Sequence, residues 1–458
     1  MKNSTSTSEL QKCQRRLLQL LLLAFLLWLV ANQEQRREYH SLVTNGVCGV
    51  VVVLFLLESS RSLCRTPMET ARFLVQISRT LGSTTVQFVS RGFKPKFSKW
   101  TLRFELVRGV MHDAATMFGD RMVDPIQAPV VRWHSELFGS FMGWFALRRY
   151  DLQLQSVHYN GLEHLWVKSS FSSTKDRKRL VMLFYHGGGY SVLSPRMYIP
   201  FCCELLDAVK RKMSLQTSGE DITVDLFMAN YRKIPEYPFP APAEDAVAMY
   251  EYLLQHEKLE PSQIILVGDS AGGGLVMSTL LRVRDGKSSW KPKLPLPLAA
   301  IVACPLADLT GDDGKNKAPN CVLSPSIIAA SVETYRPSGK NPLEWADASP
   351  VHCDLQGLPP ILLQAASFDY LFAHSRRLAA KAKADGVTNW EIDIHDGVVH
   401  VFMVFPSFVL PYARVGIQKM AQYAAKKFLT SPIMQGNPNK VLETETAPTK
   451  QIVPPAAA

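Results

Sequence analysis

A serine between two glycines, directly after an apolar run, constrains the fold of this chain more than any other feature. The run Ile264–Val267 has the composition of a buried strand, and the segment Gly268–Gly272 that follows it carries Ser270 at its centre. A largely apolar segment then continues to Leu281. Glycines on both sides of the serine permit a strained turn and let a helix pack close to the strand. The pattern predicts a strand, a sharp turn and a helix that hold Ser270 exposed as a nucleophile, although the motif alone also fits a glycine-rich loop.

A second glycine-rich turn lies upstream of the serine. The strand pattern Leu180–Tyr185 leads directly into His186-Gly187-Gly188-Gly189. Consecutive glycines leave their backbone N–H groups uncovered, and acyl transfer needs such donors for the oxygen that becomes negative in the tetrahedral intermediate. The turn is therefore a candidate oxyanion hole, and the alternative is a flexible turn between a strand and a helix. We expect His186 to shape this loop and not to transfer a proton.

An acid and a base are expected after the nucleophile, in the chain order serine, acid, histidine. Asp369 follows the strand pattern Pro359–Ala366, and open α/β sheets collect their chemistry at the carboxyl ends of strands. His400 lies in the loop before a final helix, after the alternating pattern Trp390–His395. His395 competes for the role of base, but it falls within the strand alternation and is expected to be structural. Asp369 also fits a helix N-cap, a role compatible with orienting a histidine.

These motifs resemble those of the hormone-sensitive-lipase-like branch of the α/β-hydrolases, over about residues 150–430. The resemblance implies an α/β-hydrolase fold, with a mostly parallel sheet, helices on both faces and an N-terminal helical cap. Within that branch, the chain looks like the membrane-anchored arylacetamide-deacetylase-like and steryl-ester hydrolases. Further blocks support the likeness: Tyr231-Arg232, Pro235-Glu236, Pro238-Phe239-Pro240, Asp245, Cys304-Pro305, Asp308-Leu309-Thr310, Ser349-Pro350 and Leu358-Pro359-Pro360.

The resemblance also implies the roles of the site residues. Ser270 is the nucleophile, His400 is the base and Asp369 orients His400. The oxyanion hole is formed by the backbone N–H groups of Gly188, Gly189 and Ala271. The remaining motif residues support the two loops: His186, Gly187, Gly268, Asp269 and Gly272.

The chain departs from the family pattern at three positions. Tyr370 stands where proline usually follows the acid, and Val401 stands where a small residue usually follows the histidine. Lys233 takes the place of the apolar residue that usually follows Tyr-Arg. None of these changes removes a reacting group. Val401 adds bulk beside the base and is expected to narrow the acyl site.

Basic charge is concentrated ahead of the expected catalytic domain. The formal net charge is +11; residues 1–150 hold 20 Lys and Arg against 10 Asp and Glu, and residues 151–458 hold 31 against 30. Such a bias is typical of nucleic-acid binding or of contact with anionic membranes. The apolar runs Leu17–Ala31 and Leu42–Leu57 in the same part of the chain favour a membrane lipid as partner, and no nucleic-acid partner is expected.

Both apolar runs are shorter than the roughly 20 residues of a usual spanning helix. They fit a helical hairpin, or one anchor with an interfacial segment. The alternatives are a signal-peptide core for the first run, and buried cap helices for one or both. If both runs span, their basic flanks place the catalytic domain on the cytosolic side, whereas one uncleaved span would allow a lumenal domain. We expect membrane association, on an endomembrane, with the catalytic domain facing the cytosol.

Composition divides the chain into four parts. These are an N-terminal membrane-anchoring region, a helical cap or linker, the catalytic domain and a polar tail expected to be disordered: residues 1–60, 61–150, 151–430 and 431–458. Helices are predicted at Leu102–Phe118 in the cap and at Ala241–Gln255 in the catalytic domain. The cap also holds aromatic side chains that are expected to lie in the core by default: Trp133, Phe138, Phe141, Trp144 and Phe145.

The sequence gives no reason to expect a cofactor. It lacks Cys-x-x-Cys, His-Glu-x-x-His and a strand followed by Gly-x-Gly-x-x-Gly, so neither a metal site nor a dinucleotide site is proposed. Five of the eight cysteines fall in the expected catalytic domain. Their odd number, without framework spacing, indicates reduced and mostly buried thiols. The oligomeric state stays open.

Together these features predict a serine carboxylic-ester hydrolase that acts on a hydrophobic or lipid-like ester substrate through an acyl-enzyme. The same groups would also hydrolyse an aryl amide or an acetyl ester, so a deacetylase is one alternative. A receptor-like, ligand-binding member of the same fold is another, but the presence of Ser270, Asp369 and His400 together argues against it. A scaffolding membrane protein would leave these motifs without a role.

Overall fold

The computed structural model describes most of the chain after the predicted membrane region. The described residues are 63–169, 178–217, 222–286, 293–310, 318–336 and 346–435. Both apolar runs, Leu17–Ala31 and Leu42–Leu57, lie outside them. Among the described residues, no helix combines the length and the apolar composition needed to cross a bilayer.

A sheet of eight strands forms the centre of the described structure. In chain order, β1 to β8 are Leu152–Tyr159, Leu162–Ser169, Lys178–Tyr185, Ile222–Ala229, Ile264–Asp269, Ala299–Ala303, Ile361–Ala366 and Glu391–His395. Their order in the sheet is β1-β2-β4-β3-β5-β6-β7-β8. In this order, all neighbouring strands from β4 through β3 to β8 are parallel. The strand β2 pairs antiparallel with both β1 and β4. The predicted mostly parallel α/β-hydrolase sheet is confirmed.

The central strands are continuous apolar runs because both faces of the sheet are covered. Every residue of β5, β6 and β7 is buried. The edge strand β8 alternates instead, and it leaves Ile392 and Ile394 exposed. Helices α1 to α9 are, in chain order, Pro67–Ser90, Leu102–Phe118, Gln127–Arg149, Ile199–Ser214, Ala241–Gln255, Ala271–Arg284, Pro325–Tyr335, Phe372–Ala384 and Ala413–Leu429.

The loops that carry the predicted site residues all leave the same edge of the sheet. Parallel strands present their carboxyl ends side by side. The strand β3 ends just before His186, β5 ends just before Ser270, and β7 ends shortly before Asp369. The register keeps these ends level, with Tyr185 opposite Gly268, Asp269 opposite Ala303 and Ala366 opposite His395.

Residues 63–150, called the cap here, precede the sheet. They comprise α1, α2, a 3-10 segment at Gly119–Val123 and α3. The indole N–H of Trp100, just before α2, donates to the Gly397 carbonyl at 2.9 Å. This bond ties the cap to the loop that follows β8.

Helix α3 lies close against the catalytic domain through its small residues. A Cβ atom on Gly139 would overlap the backbone of Arg196 and Met197. A Cβ atom on Gly143 would lie 3.0 Å from the Ile199 side chain. Glycine at these two positions therefore sets how near the helix axis comes to the domain.

The prediction that the aromatic side chains of this helix lie in the core is wrong. The fully buried positions of α3 are occupied by small or polar residues. At Gly139 and Gly143 the close approach leaves no room for a larger side chain. The rings take the remaining faces, where four are half-buried and the last is 45% exposed: Trp133, Phe138, Phe141, Trp144 and Phe145.

The chain stays packed beyond the predicted end of the catalytic domain at residue 430. Ser431 is buried, and Ile433 and Met434 pack against the core. A disordered tail therefore does not begin at residue 431. Residues 436–458 lie outside the described part of the chain.

The close docking of α3 predicts that alanine at Gly139 lowers the stability of the fold, whereas alanine at an open glycine of α1 should raise it. We expect Gly139→Ala to lower the free energy of unfolding by about 1–3 kcal/mol, because the added methyl group overlaps a backbone. Gly82, inside α1, is the matched control, since a Cβ atom there meets no atom within 4 Å. Gly82→Ala should raise the free energy of unfolding by about 0.5–1 kcal/mol through helix propensity. Denaturant unfolding measures both, and a neutral Gly139→Ala would contradict the close docking.

Candidate active site

Ser270 occupies a strained turn between β5 and α6. Its backbone angles are φ 52° and ψ −120°, a region that residues with a side chain seldom adopt. The Ser270 N–H donates to the Ala303 carbonyl at 2.9 Å, and the Leu306 N–H donates to the Ser270 carbonyl at 2.9 Å. The segment that follows β6 therefore holds the turn in this conformation.

The flanking glycines are required by close backbone approach and not by their own dihedral angles. A Cβ atom on Gly272 would overlap the Tyr185 carbonyl oxygen at the end of β3. A Cβ atom on Gly268 would overlap the Gly272 carbonyl. The first turn of α6 can therefore lie against both β3 and β5 only when these two side chains are absent.

The structure brings the three residues predicted for the triad into one chain of hydrogen bonds. His400 Nε2 lies 2.9 Å from Ser270 Oγ. His400 Nδ1 lies 2.9 Å from each carboxylate oxygen of Asp369. With the Nδ1 proton donated to the carboxylate, Nε2 is left to accept the serine proton. All three residues are buried: Ser270, His400 and Asp369 are 8%, 3% and 2% exposed.

A cysteine absent from the sequence-based predictions holds the loop of the acid. The Leu371 N–H donates to Asp369 Oδ1 at 2.9 Å. The Tyr370 N–H, which a proline would lack, donates to Cys321 Sγ at 3.3 Å. The same sulfur lies 4.0 Å from Asp369 Oδ1. The departure from proline at Tyr370 is thus matched by a thiol acceptor, and Asp369 precedes the N-cap position of α8, which is Leu371.

The glycine loop after β3 adopts conformations that favour glycine. Gly188 and Gly189 have φ values of 111° and 60°. The Ser191 and Val192 N–H groups both donate to the Gly188 carbonyl at 3.0 Å, which closes a tight turn. Ala271, the remaining residue predicted for the oxyanion hole, is the first residue of α6, where backbone N–H groups have no partner within the helix.

Asp269 links this loop to the nucleophile turn. The Gly187 N–H donates to Asp269 Oδ1 at 3.0 Å, and the Tyr198 hydroxyl donates to Asp269 Oδ2 at 2.9 Å. Burial raises the pKa of Asp269 to about 6, against the opposing effect of these hydrogen bonds. Tyr198 was not among the predicted site residues, because nothing in its spacing marks it.

His186 bonds and packs within the glycine loop, away from the hydrogen bonds that join Asp369, His400 and Ser270. Its Nδ1 lies 2.7 Å from the Gly187 carbonyl, and its ring stacks on Tyr231 at 4.5 Å between centroids. The Tyr231 hydroxyl donates to the His186 carbonyl at 2.8 Å. Burial lowers the pKa of His186, so the ring is neutral.

His395, the alternative candidate for the base, bonds to Asp393 and Tyr412 and not to the predicted triad. Its Nε2 lies 2.8 Å from Asp393 Oδ2, and its Nδ1 lies 3.1 Å from the Tyr412 hydroxyl. It therefore closes the end of β8 onto the segment before α9. No hydrogen bond among the described residues joins His395 to Ser270.

Two further features surround the base. Val401 adopts a left-handed conformation with φ 45°, which is costly for a β-branched residue. This cost is a physical reason for the small residue of the family pattern at this position.

Among the described residues, one cluster has the spacing of metal ligands: Cys304, Asp369 and His400, with ligand atoms within 4.8 Å of one another. Its aspartate and histidine already bond each other, so the cluster needs no ion to be satisfied.

Lys233, the third departure from the family pattern, is buried beside the oxyanion loop. Its Nζ donates to Asn230 Oδ1 at 2.5 Å and to the Tyr231 carbonyl at 3.2 Å. Burial, together with the nearby cation Arg132, lowers the pKa of Lys233 to about 7. Three carboxylates oppose this shift: Glu136, Asp245 and Glu236.

The chain is similar to several known proteins. The family described as alpha/beta hydrolase fold matches residues 182–404. An acetyl-hydrolase of Streptomyces hygroscopicus is 35% identical over 208 residues, which cover 45% of this chain and 62% of that protein. The chain thus spans less than two thirds of that relative. A carboxylesterase of Mycobacterium tuberculosis is 27% identical over 270 residues, or 57% of this chain and 78% of that protein.

Solved structures extend the match. An esterase from the bacterial hormone-sensitive lipase family has a TM-score of 0.56 at 29% identity, covering 71% of this chain and 98% of its own. A mutant form of another esterase also has a TM-score of 0.56, at 30% identity, covering 71% and 99%. The chain therefore belongs to the hormone-sensitive-lipase-like esterases of the α/β-hydrolase fold. The predictions of this family and of an enzyme of the carboxylesterase type are confirmed.

The buried lysine gives a prediction about pH. The pKa of Lys233 in the fold, about 7, is below its ordinary value of 10.5. Between these values the unfolded chain binds the proton and the folded chain does not, so stability rises with pH in this window. The contribution of neutral Lys233 is therefore present above about pH 10.5 and is lost as the pH falls toward 7.

Lys233→Met removes the titrating group and restores an apolar side chain. Relative to the parent chain, we expect it to gain stability below about pH 7 and to lose this advantage progressively as the pH rises toward 10. Chemical unfolding at several pH values measures the difference. Lys94→Met, at an exposed position, should show no such trend. A difference for Lys233→Met that stays constant over this range would refute the low pKa.

Proposed function

We propose that this chain is a serine carboxylic-ester hydrolase, with Ser270 as nucleophile, His400 as base and Asp369 as the group that orients His400. The observation that carries the proposal is the unbroken series of 2.9 Å contacts from Asp369 through His400 to Ser270 Oγ. A base within hydrogen-bonding reach of a hydroxyl, itself held by a third group, is the arrangement that activates serine.

Acylation uses each of these groups once. Ser270 Oγ attacks the ester carbonyl carbon while its proton passes to His400 Nε2. The carbonyl oxygen becomes negative and accepts hydrogen bonds from the N–H groups of Gly188, Gly189 and Ala271. The bond to the alcohol oxygen then breaks, and His400 gives its proton to that oxygen.

Deacylation repeats the steps with water. His400 takes a proton from water as the water oxygen attacks the acyl carbon. The bond to Ser270 Oγ breaks, and the proton returns to the serine. The series consumes one water molecule, releases an alcohol and an acid, and requires no cofactor.

We assign a hydrophobic or lipid-like ester as the substrate class. Ser270 and His400 are 8% and 3% exposed, and the cap contacts the loop beside them, so an acyl group must leave water to reach the serine. An acetyl ester or aryl amide is the alternative class, and the relative named acetyl-hydrolase favours the acetyl ester. A receptor-like role is disfavoured because the proton relay from Asp369 to Ser270 is complete.

The triad assignment is tested by single substitutions. Ser270→Ala and His400→Ala should each lower kcat by roughly three or more decades, because the unit fails when either member is lost. Asp369→Asn should reduce turnover somewhat less. His395→Ala is the matched control for a buried histidine paired with an aspartate, and it should retain activity. Turnover of a soluble short-chain ester measures all four, and an active Ser270→Ala variant would exclude the assignment.

We further propose that the protein associates with an endomembrane, with residues 1–60 as the anchor, residues 61–150 as the cap and a catalytic domain from residue 151 that faces the cytosol. The described residues supply one supporting observation. Helix α1 exposes Met68, Val75 and Val86 by 63%, 49% and 68%. Arg72 and Arg79 lie on the same helix, so an apolar face with basic neighbours is available to an anionic lipid surface.

The membrane proposal predicts that the full-length chain sediments with anionic vesicles and resists extraction by high salt, which releases proteins held by charge alone. Val75→Asp with Val86→Asp should reduce hydrolysis of an ester embedded in vesicles and leave hydrolysis of a soluble ester unchanged. Leu215→Asp, at an 82% exposed apolar position on the catalytic domain, is the control. Extraction of the full-length chain by salt would rule out a spanning anchor.

A further inference from the structure

Arg132, on cap helix α3, hydrogen-bonds to three residues outside its own helix. Its Nε donates to the Ser191 carbonyl at 2.6 Å, and its Nη2 donates to the Ile234 carbonyl at 2.7 Å. The two terminal nitrogens also form a bidentate pair with Glu236, at 2.7 and 3.1 Å. The side chain is 19% exposed. A guanidinium with this many fixed partners acts as a rigid bridge, because its fork is planar.

The Ser191 contact leads directly to the predicted oxyanion hole. The N–H groups of Ser191 and Val192 hold the Gly188 carbonyl. That carbonyl shares a planar peptide group with the Gly189 N–H, so the position of Ser191 affects the direction of this N–H. The Ser191 hydroxyl makes a second bond to the cap, to the Met122 carbonyl. A loop of glycines has little intrinsic rigidity. Its geometry therefore depends on such tethers.

The Ile234 contact reaches the same loop from the other side. The Ile234 N–H donates to the Tyr190 carbonyl at 3.1 Å. Tyr231, three residues earlier, donates its hydroxyl to the His186 carbonyl at 2.8 Å. Arg132 thus joins the cap to both segments between which the glycine loop is held.

We propose that Arg132 is a positioning residue for the oxyanion hole. It touches neither the substrate nor Ser270. By fixing the Ser191 and Ile234 carbonyls, it holds the Gly189 N–H in the direction that the developing oxyanion requires, since such a donor acts only when it is preorganised. The proposal rests on the proposed esterase function, and it makes the cap a part of the catalytic apparatus.

The test compares Arg132→Met with the parent in the full-length chain. A single hole donor contributes about a hundredfold to a thousandfold to kcat. We expect Arg132→Met to displace such a donor and so to lower kcat by about tenfold to a hundredfold, with little change in KM. The same variant should lose less on the matching thionoester, because sulfur accepts hydrogen bonds weakly and gains little from the hole. A general loss of folded protein would lower both rates equally.

Arg91→Met is the matched control within the cap. Arg91 also bridges a carbonyl and a carboxylate, through the Lys94 carbonyl at 3.1 Å and Glu105 at 2.6 Å. It should leave kcat and the ester-to-thionoester ratio unchanged. Arg132→Lys keeps the charge but not the fork, so only part of the activity should return. Full activity in that variant would mean that charge alone suffices and would overturn the proposal.

Failure of this inference and failure of the esterase function have different outcomes. If the parent chain hydrolyses the ester and Arg132→Met keeps its kcat, the positioning role is excluded while the function stands. An unchanged ester-to-thionoester ratio beside a lower kcat would also exclude it, since the loss would then be structural. If the parent chain itself hydrolyses no ester, the proposed function has failed.

Discussion

The close approach of the α6 N-terminus to the end of β3 is the constraint on which the rest of the site depends. With no side chain on Gly272, the first turn of the helix rests against the Tyr185 carbonyl. This places Ser270 and the Ala271 N–H beside the loop that begins at His186. Asp269 then bonds the Gly187 N–H across the same gap. This packing contact and the Asp269 bond thereby fix Ser270 relative to the glycine loop, at the cost of a strained backbone at Ser270.

Much of this arrangement could be predicted from the sequence because its signals are local. The bounds of α2 and α5, Leu102–Phe118 and Ala241–Gln255, were predicted as observed, since each shows helical periodicity along its own length. The triad residues follow strand ends, and the register of parallel strands brings such ends together. The partners that hold those residues were not predictable. Cys321 reaches the acid loop from far along the chain, and no spacing or motif marks it. The aromatic residues of α3 were misplaced for a related reason: hydrophobicity indicates burial, but the position of the small residues decided which face of the helix docks.

The three departures from the family pattern have different physical consequences. At Tyr370 the extra N–H group finds an acceptor in Cys321, so the change costs the acid no support. At Val401 the backbone is left-handed, a conformation that is costly for a β-branched side chain. Lys233 brings a basic group into a buried position, where it bonds Asn230 and the Tyr231 carbonyl. Each departure lies beside a reacting loop and leaves the reacting atoms unchanged.

The two halves of the proposed site are both built on the sheet-based domain, and both are also held by the cap. Ser270 follows β5, Asp369 follows β7 and His400 lies in the loop before α9. The cap reaches this last loop, because the Trp100 indole N–H donates to the Gly397 carbonyl. The glycine loop has a second set of supports, because Arg132 and the Met122 carbonyl reach it from the cap. A change in how the cap docks would therefore act on the glycine loop and on the loop that carries His400 together, through Arg132 and Trp100 respectively.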